Sequence, residues 1–335
     1  MSDIVFSFVM AAYNSESTIE KSLSSIREQD FDQDKIEIIV VDGMSSDKTR
    51  EIARRYGCHV LDNKKRLPEI AKTIGLKAAI GKYLCIMDSD EALARRTILS
   101  DRFQVLQKHP NIKCLSIGLT TPKNSRPCSY YINAVGDPFS CFIYQTFNAG
   151  VDGLIIRGAD FDEDNKCYIR SFNENDIRPI GDSGTLMNLE YIRNSYSGKI
   201  DTMVTATIFD RIIMDTGLVG YIEGDDDLHY SDVSLETYLK KLRFRIINNI
   251  FVIEGSGYSS KAQINRKLNN RKYLFPFYTI SLILPFIDGI RMAFNYKHWI
   301  FLFHLFFCLY VLFTIVIMCI EKLLGIRKEN RTYAK

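Results

Sequence analysis

Lys82-Tyr83-Leu84-Cys85-Ile86-Met87-Asp88-Ser89-Asp90-Glu91 is an apolar run of strand length that stops on two carboxylates spaced i, i+2. On a strand, that spacing predicts both side chains on one face and Ser89 on the other. At the end of a parallel strand, that face opens into the crevice where α/β sheets hold ligands. Two hard oxygen donors there suit Mg²⁺ or Mn²⁺, and a cation so placed would neutralise a diphosphate. An acidic turn after a buried strand has the same appearance, so the meaning of Asp88 and Asp90 rests on what surrounds them.

Upstream, residues 4–11 (IVFSFVMA) predict a buried first strand closed by Ala12-Tyr13-Asn14-Ser15. Ile19, Leu23 and Ile26 recur at helical spacing between Ser17 and Gln29. Residues 36–41 (IEIIVV) form a second strand ending in Asp42-Gly43, and Asp47 or Ser46 caps a helix that runs to Tyr56. A short strand at 58–61, a helix at 67–79 and the strand at 83–87 complete four alternations in ninety residues. That rhythm predicts a doubly wound α/β unit with parallel strands.

Three stretches, Val9-Met10-Ala11-Ala12-Tyr13-Asn14, Val40-Val41-Asp42-Gly43-Met44-Ser45-Ser46-Asp47 and Gly81-Lys82-Tyr83-Leu84 leading to Asp88-Ser89-Asp90, together resemble the family 2 glycosyltransferases of GT-A fold. The resemblance covers residues 4–95. It implies that Ala11, Tyr13, Asn14 and Asp42 hold the nucleoside of a nucleotide-sugar, with Ser89 in the same pocket, and that Asp88 and Asp90 hold the metal. Thr73 departs from the pattern, since many relatives carry Asn there.

Farther along, residues 95–107 predict a helix and 112–119 a strand, while Gly136-Asp137-Pro138 reads as a turn, with a lipid- or acceptor-facing loop as the rival. The acidic run 160–165 (DFDEDN) reads as a solvated loop. Ile180-Gly181-Asp182-Ser183-Gly184 resembles the family's acceptor-side segment, which makes Asp182 a candidate. Many relatives place a Glu-Asp general base before the next helix; here Thr205, Ala206 and Thr207 stand there, so Asp201 becomes the substitute base and Asp210 a weaker one. A sugar hydroxyl needs a base, whereas a polyprenyl phosphate is already ionised. His229 stands where relatives carry a further metal or diphosphate ligand, and the helix at 238–245 (YLKKLRFR) gathers Lys240, Lys241, Arg243 and Arg245 for diphosphate or anionic headgroups, or as a solvated basic face.

The chain has 335 residues and a net charge of +3, and its eight cysteines lack any CxxC pair or zinc-like spacing. A reduced, cytosol-facing protein is expected, without a disulfide framework and with no signal peptide ahead of the first strand. After about residue 270 Phe, Leu and Ile dominate. Residues 299–320 hold no formal charge, and at about 1.5 Å each they are long enough to span a bilayer of roughly 30 Å. Residues 273–290 are also apolar but contain Pro276, Pro285 and Asp288. Basic residues outside the pair, with only Arg291 and Lys297 between, favour a hairpin with both ends cytosolic over one span plus an interfacial helix.

The expected organisation is a GT-A domain at 1–255, split into a nucleotide-binding half (1–95) and an acceptor half (96–255). A basic linker (256–272), membrane helices at 273–294 and 299–320, and a basic tail (322–335) follow. The expected function is inverting, metal-dependent transfer from a nucleotide-sugar to a lipid-borne acceptor at the cytosolic membrane face. A hydroxyl of a growing glycan is the alternative acceptor, and a silent nucleotide-binding scaffold the remote alternative. Membrane lipids are expected partners and nucleic acid is not, and an oligomer is left open.

Overall fold

The computed structural model describes residues 3–146, 152–173, 176–180, 183–200, 207–251 and 264–326. Two compact units make up the chain: Met1–Thr120 with Ile155–Tyr230, and Thr121–Leu154 with Ser231–Lys335.

The first unit opens with the expected alternation: β1 (Phe6–Ala12), α1 (Ile19–Arg27), β2 (Ile36–Asp42), α2 (Thr49–Arg55), β3 (His59–Asp62), α3 (Pro68–Ala78) and β4 (Tyr83–Asp88). β5 (Glu91–Leu93), α4 (Ile98–Lys108) and β6 (Cys114–Thr120) follow, and the chain then forms α5 (Pro127–Val135) and α6 (Pro138–Tyr144) of the second unit. Back in the first unit come β7 (Asp160–Asp162), β8 (Cys167–Ser171), β9 (Leu186–Asn188), α7 (Leu189–Tyr196), α8 (Ile208–Thr216) and β10 (Leu218–His229).

The sheet runs β3-β2-β1-β4-β9-β6-β10-β8-β7, with β5 paired to β10. β1, β2, β3 and β4 are mutually parallel, as expected; β9 enters antiparallel between β4 and β6, so the sheet is mixed. Every residue of β2 is buried, which fits an apolar run covered on both faces. Strand order reverses at β1 and β4, and the register sets Ala12 opposite Asp42 and Ala11 opposite Asp88. The two acids thus flank the end of β1 at the switch point where doubly wound sheets bind ligands. β10 pairs with β6 in parallel, with a register shift between Tyr221 and Asp226 that contains Gly224 at φ 73°.

The acidic run at 160–165 is not a plain solvated loop: it opens β7, the first strand of a hairpin with β8. Asp162 accepts from Asn165 and bonds the ring of His109 at 2.7 Å, and Lys108 joins them; the His109 contact is the main reason its carboxyl lies below the usual range.

The second unit adds α9 (Leu235–Phe251), α10 (Arg266–Asn269), α11 (Phe275–Ile280), α12 (Ile283–Asn295) and α13 (His304–Leu323) to α5 and α6. The Gly136-Asp137-Pro138 turn is present, with Gly136 at φ 72° and the Asp137 carboxylate capping α6 through the Ser140 amide. The buried His304 bonds Tyr131 at 2.6 Å and Tyr278 at 3.1 Å, and Tyr278 also donates to Asp288, so one polar chain ties α5, α11, α12 and α13 together.

Trp299–Leu323 is one apolar helical stretch, with a 3-10 first turn over Trp299–Phe303, and is long and apolar enough to cross a membrane. The helix expected over 273–290 is broken: α11 and α12 meet at a bend of 95°, with Leu282 at φ 56°. Pro285 explains the break, because a continuous helix would need a Pro285 N–H for the Ser281 carbonyl, and the proline ring would clash with it. α12 then crosses the 299–303 turn so closely that a Cβ on Gly289 would lie 2.8 Å from the Phe301 carbonyl oxygen. α13 also lies along α9: Tyr310 Oη donates to the Leu239 carbonyl at 3.2 Å and Lys322 Nζ to that of Ile250.

Candidate active site

One side of the site is built by two loops, after β1 and β2, that cross-link each other. Asp42, 0% exposed, accepts from the Ser45 amide at 3.0 Å, the Ser45 hydroxyl, and Arg50 at 2.9 Å. Arg50 also reaches Asp62 at 2.8 Å, so one guanidinium joins the ends of β2 and β3. Asn14 adopts φ 49°, takes the Ser46 amide on its side-chain oxygen, and has its own amide held by Ser45. Asp47 accepts from the Thr49 and Glu16 amides, but it is not the cap the sequence suggested: Lys48 occupies the N-cap of α2 and makes no side-chain capping bond. Tyr13 stands partly exposed with Arg66 over its ring at 5.5 Å, and Ala11 lies in β1.

The i, i+2 argument does not survive at Asp90. β4 ends at Asp88, and Ser89 and Asp90 form a turn before β5, so strand alternation stops one residue too soon to place the second acid. Instead, the turn is hung by its neighbours. Ser89 donates to Ser15 at 2.9 Å, and the Asp90 carbonyl accepts from the Tyr230 amide at 2.7 Å. Lys72 of α3, only 6% exposed, brings its ammonium to 3.7 Å from Asp88. Glu91, 2% exposed, accepts from the Asp88 amide at 3.0 Å and from the Ser183 hydroxyl. Burial, followed by the nearby Asp88 and Asp227 carboxylates, pushes the Glu91 carboxyl well above its usual range.

β10 supplies the facing wall. Its pairing with β5 sets His229 opposite Glu91, and His229 Nε2 lies 3.3 Å from Asp90 Oδ2. Two residues earlier, neither carboxylate oxygen of the buried Asp227 has a hydrogen-bond partner among the described residues. Burial pushes its carboxyl up to about 7, although Arg102 pulls the other way. Arg102 of α4, 0% exposed, bonds Asp225 through Nε at 2.7 Å and Nη2 at 3.0 Å and also reaches the Gly184 carbonyl. Gly184 sits at φ 68°, where a Cβ would strike Asp227 Oδ2 at 1.9 Å; the position suits glycine on both counts.

Among the described residues, no three His, Cys, Asp or Glu side chains are gathered to hold a metal ion. Asp90 and His229 already meet, while Asp88 turns toward Lys72. The donor types suit a hard divalent cation, and His229 Nδ1 is buried without a hydrogen-bond partner.

Asp182 and Asp201 lie outside the described residues. Asp210 is buried and accepts from the Ile180 amide at 2.8 Å, which makes it a support for the 176–180 segment. Sequence reasoning missed Lys72, Glu91, Arg102, Ser183 and Arg50. Glu91 carried a signal, as a third acid beside Asp88 and Asp90. Lys72 and Arg102 carried none, because a single cation within a helix reads as surface.

A twisted mixed sheet with acids at its switch point is the GT-A arrangement of a transferase domain. Residues 7–122 match the profile of Glycosyl transferase family 2, so the first part of the chain carries a domain of that family. Over 110 residues it is 31% identical to the poly(ribitol-phosphate) beta-N-acetylglucosaminyltransferase TarS of Staphylococcus aureus, covering 31% of this chain and 19% of that protein. Over 94 residues it is 32% identical to the GalNAc(5)-diNAcBac-PP-undecaprenol beta-1,3-glucosyltransferase of Campylobacter jejuni, covering 26% and 30%. The chain therefore spans less than a third of either relative. The solved structure of the mannosyltransferase PcManGT of Pyrobaculum calidifontis, in complex with GDP-Man and Mn2+, has the same fold at TM-score 0.55 and 16% identity, covering 93% of this chain and 86% of that one.

Proposed function

We propose that the chain transfers a sugar, with inversion, from a nucleotide-sugar to a lipid-borne acceptor, a polyprenyl phosphate or a lipid-linked glycan, at the cytosolic membrane face. The observation that carries this reading is the meeting of Asp90 and His229 at 3.3 Å beside Asp88, at the switch point of the sheet. The Campylobacter jejuni relative, whose name gives a lipid diphosphate acceptor, supports the lipid part. Inversion is carried over from the resemblance to the family 2 glycosyltransferases.

Asp88, Asp90 and His229 would hold Mg²⁺ or Mn²⁺, which when bound offsets charge on the departing diphosphate. Lys72 supplies a fixed positive charge to the same crevice. Asp42 and Asn14, rigidly cross-linked, offer preformed contacts to the base and ribose, with Ala11, Tyr13 and Ser89 around them. Glu91 holds the Asp88 amide and Ser183 in place from below. A hydroxyl acceptor would give its proton to Asp201 or Asp182, whereas a phosphate acceptor needs no base.

The test is transfer by the full chain, in detergent, from a panel of nucleotide-sugars, with and without polyprenyl phosphate and divalent cation. Lipid-stimulated turnover that Asp88→Asn abolishes is the expected result. Turnover equal in Asp88→Asn and wild type would remove the metal site from the reading. Absence of turnover with every donor, in the presence of bare lipid phosphate, would move the acceptor to a larger lipid-linked glycan.

A further inference from the structure

Trp299–Leu323 has the length of a membrane span, roughly 37 Å at about 1.5 Å per residue. Its surroundings argue against that use. α9 runs beside it in the same direction, anchored by the Tyr310–Leu239 and Lys322–Ile250 bonds. Between those anchors α9 carries Lys240, Lys241, Arg243 and Arg245. Lys240 pairs with Glu236 at 2.7 Å, both side chains about three-quarters exposed, and Arg243 is exposed as well. A bilayer wrapped around the middle of α13 would draw these charges into hydrocarbon, where ionised side chains are strongly disfavoured.

α13 instead has two faces. His304, Phe307, Cys308, Val311, Thr314 and Met318 form a buried stripe at helical spacing, while Phe306, Phe313, Val316, Ile317 and Ile320 are exposed and apolar. α11 and α12, at 6 and 13 residues, are roughly 9 and 20 Å long, each short of a bilayer's hydrocarbon core of about 30 Å. At and around their bend, Phe277, Ile280, Leu282, Ile283, Leu284 and Phe286 are each at least half exposed. Arg271 and Lys272 precede this wedge, and Arg291, Lys297 and the half-exposed Trp299 follow it. An apolar face with a basic and aromatic border is the pattern of a helix lying in an interface.

We infer that the second unit rests on one leaflet of an anionic membrane, with the α11–α12 wedge and the outer face of α13 sunk to interfacial depth, and that no helix among the described residues crosses the bilayer. The inference rests on the reading that the chain works at a membrane, but its test needs no catalysis.

Trp299 is the only tryptophan in the chain, which allows depth to be measured in the wild type. The full chain is bound to phosphatidylglycerol–phosphatidylcholine vesicles whose lipids are brominated at shallow or deep acyl positions, and Trp299 quenching is recorded. The same is done after moving the tryptophan along the outer face, with Trp299→Phe combined in turn with Phe306→Trp, Phe313→Trp and Ile320→Trp. All four sites are expected to be quenched best by shallow bromines and to lie within about 5–10 Å of one depth. Partition into the anionic vesicles should be at least tenfold stronger than into phosphatidylcholine alone. A deep site at 313 flanked by shallow sites at 299 and 320 would show a span and overturn the inference. So would equal partition into both vesicles. Absence of quenching at every site would show the face covered by protein and overturn it as well. A silent transfer assay alongside the expected quenching would leave this attachment standing and remove only the proposed reaction.

Discussion

Asp42 and Asp227 are equally buried, in strands of one sheet, and their surroundings are opposite. Asp42 receives an amide, a hydroxyl and a guanidinium. Asp227 receives no hydrogen bond from the described residues, and Glu91 close by has its carboxyl pushed up in the same way. The Asp42 side is thus a finished scaffold, its carboxylate already cross-linked to the neighbouring loop and helix. The Asp227 side keeps acceptor capacity in reserve behind Asp88 and Asp90, as a cradle for positive charge would.

The sharpest way to break this contrast is Arg102→Met, which leaves Asp225 buried without its cation. Denaturant unfolding should show a loss of about 3–5 kcal/mol, and a loss under about 1 kcal/mol would mean that the acidic wall does not depend on this pair. Next, Asp90→Ala should cut the proposed transfer by about 10²–10³-fold, by loosening the hold on the cation that would offset the diphosphate charge, with the thermal midpoint shifted by no more than a few degrees. Asp227→Asn tests the reserve capacity through pH. The folded carboxyl is raised from 3.8 to about 7, so the folded state binds the proton more tightly than the unfolded one. The stability from that bound proton is fully present below about pH 4 and is lost as pH rises through 7. Asn cannot ionise, so relative to wild type it should gain more than about 1 kcal/mol between pH 4.5 and pH 8 in denaturant titrations. The smallest effect belongs to the finished side: Ser45→Ala removes one of three donors to Asp42 and should cost about 0.5–1.5 kcal/mol by the same measurement.

The two sides were also unequally legible in the sequence. Parallel strands covered on both faces are continuous apolar runs, so β1, β2 and β4, and the acids that end β2 and β4, could be read locally. Asp90 could not be placed by alternation, because the strand had already ended. Lys72 and Arg102 act through burial that only the packed sheet creates, and α4 shows nothing in its own sequence of the Asp225 it will meet. At the other end, composition gave the apolar length of 299–320 correctly. Composition could not show that α9 would lie alongside with its charges, or that the helix broken before Pro285 would turn through 95°.

The register shift in β10 works as a reading frame laid out in space. Side chains alternate along a strand, so the residues spent in passing through the irregularity at Gly224 decide which ones share a face. In the present frame Asp225, Asp227 and His229 fall together, facing Arg102, Gly184 and Glu91, and Asp226 and Leu228 take the other face. Removing one residue there would reverse the parity, turning Asp226 and Leu228 inward and the acids and imidazole away. The composition would hardly change, yet the wall of the site would be a different one.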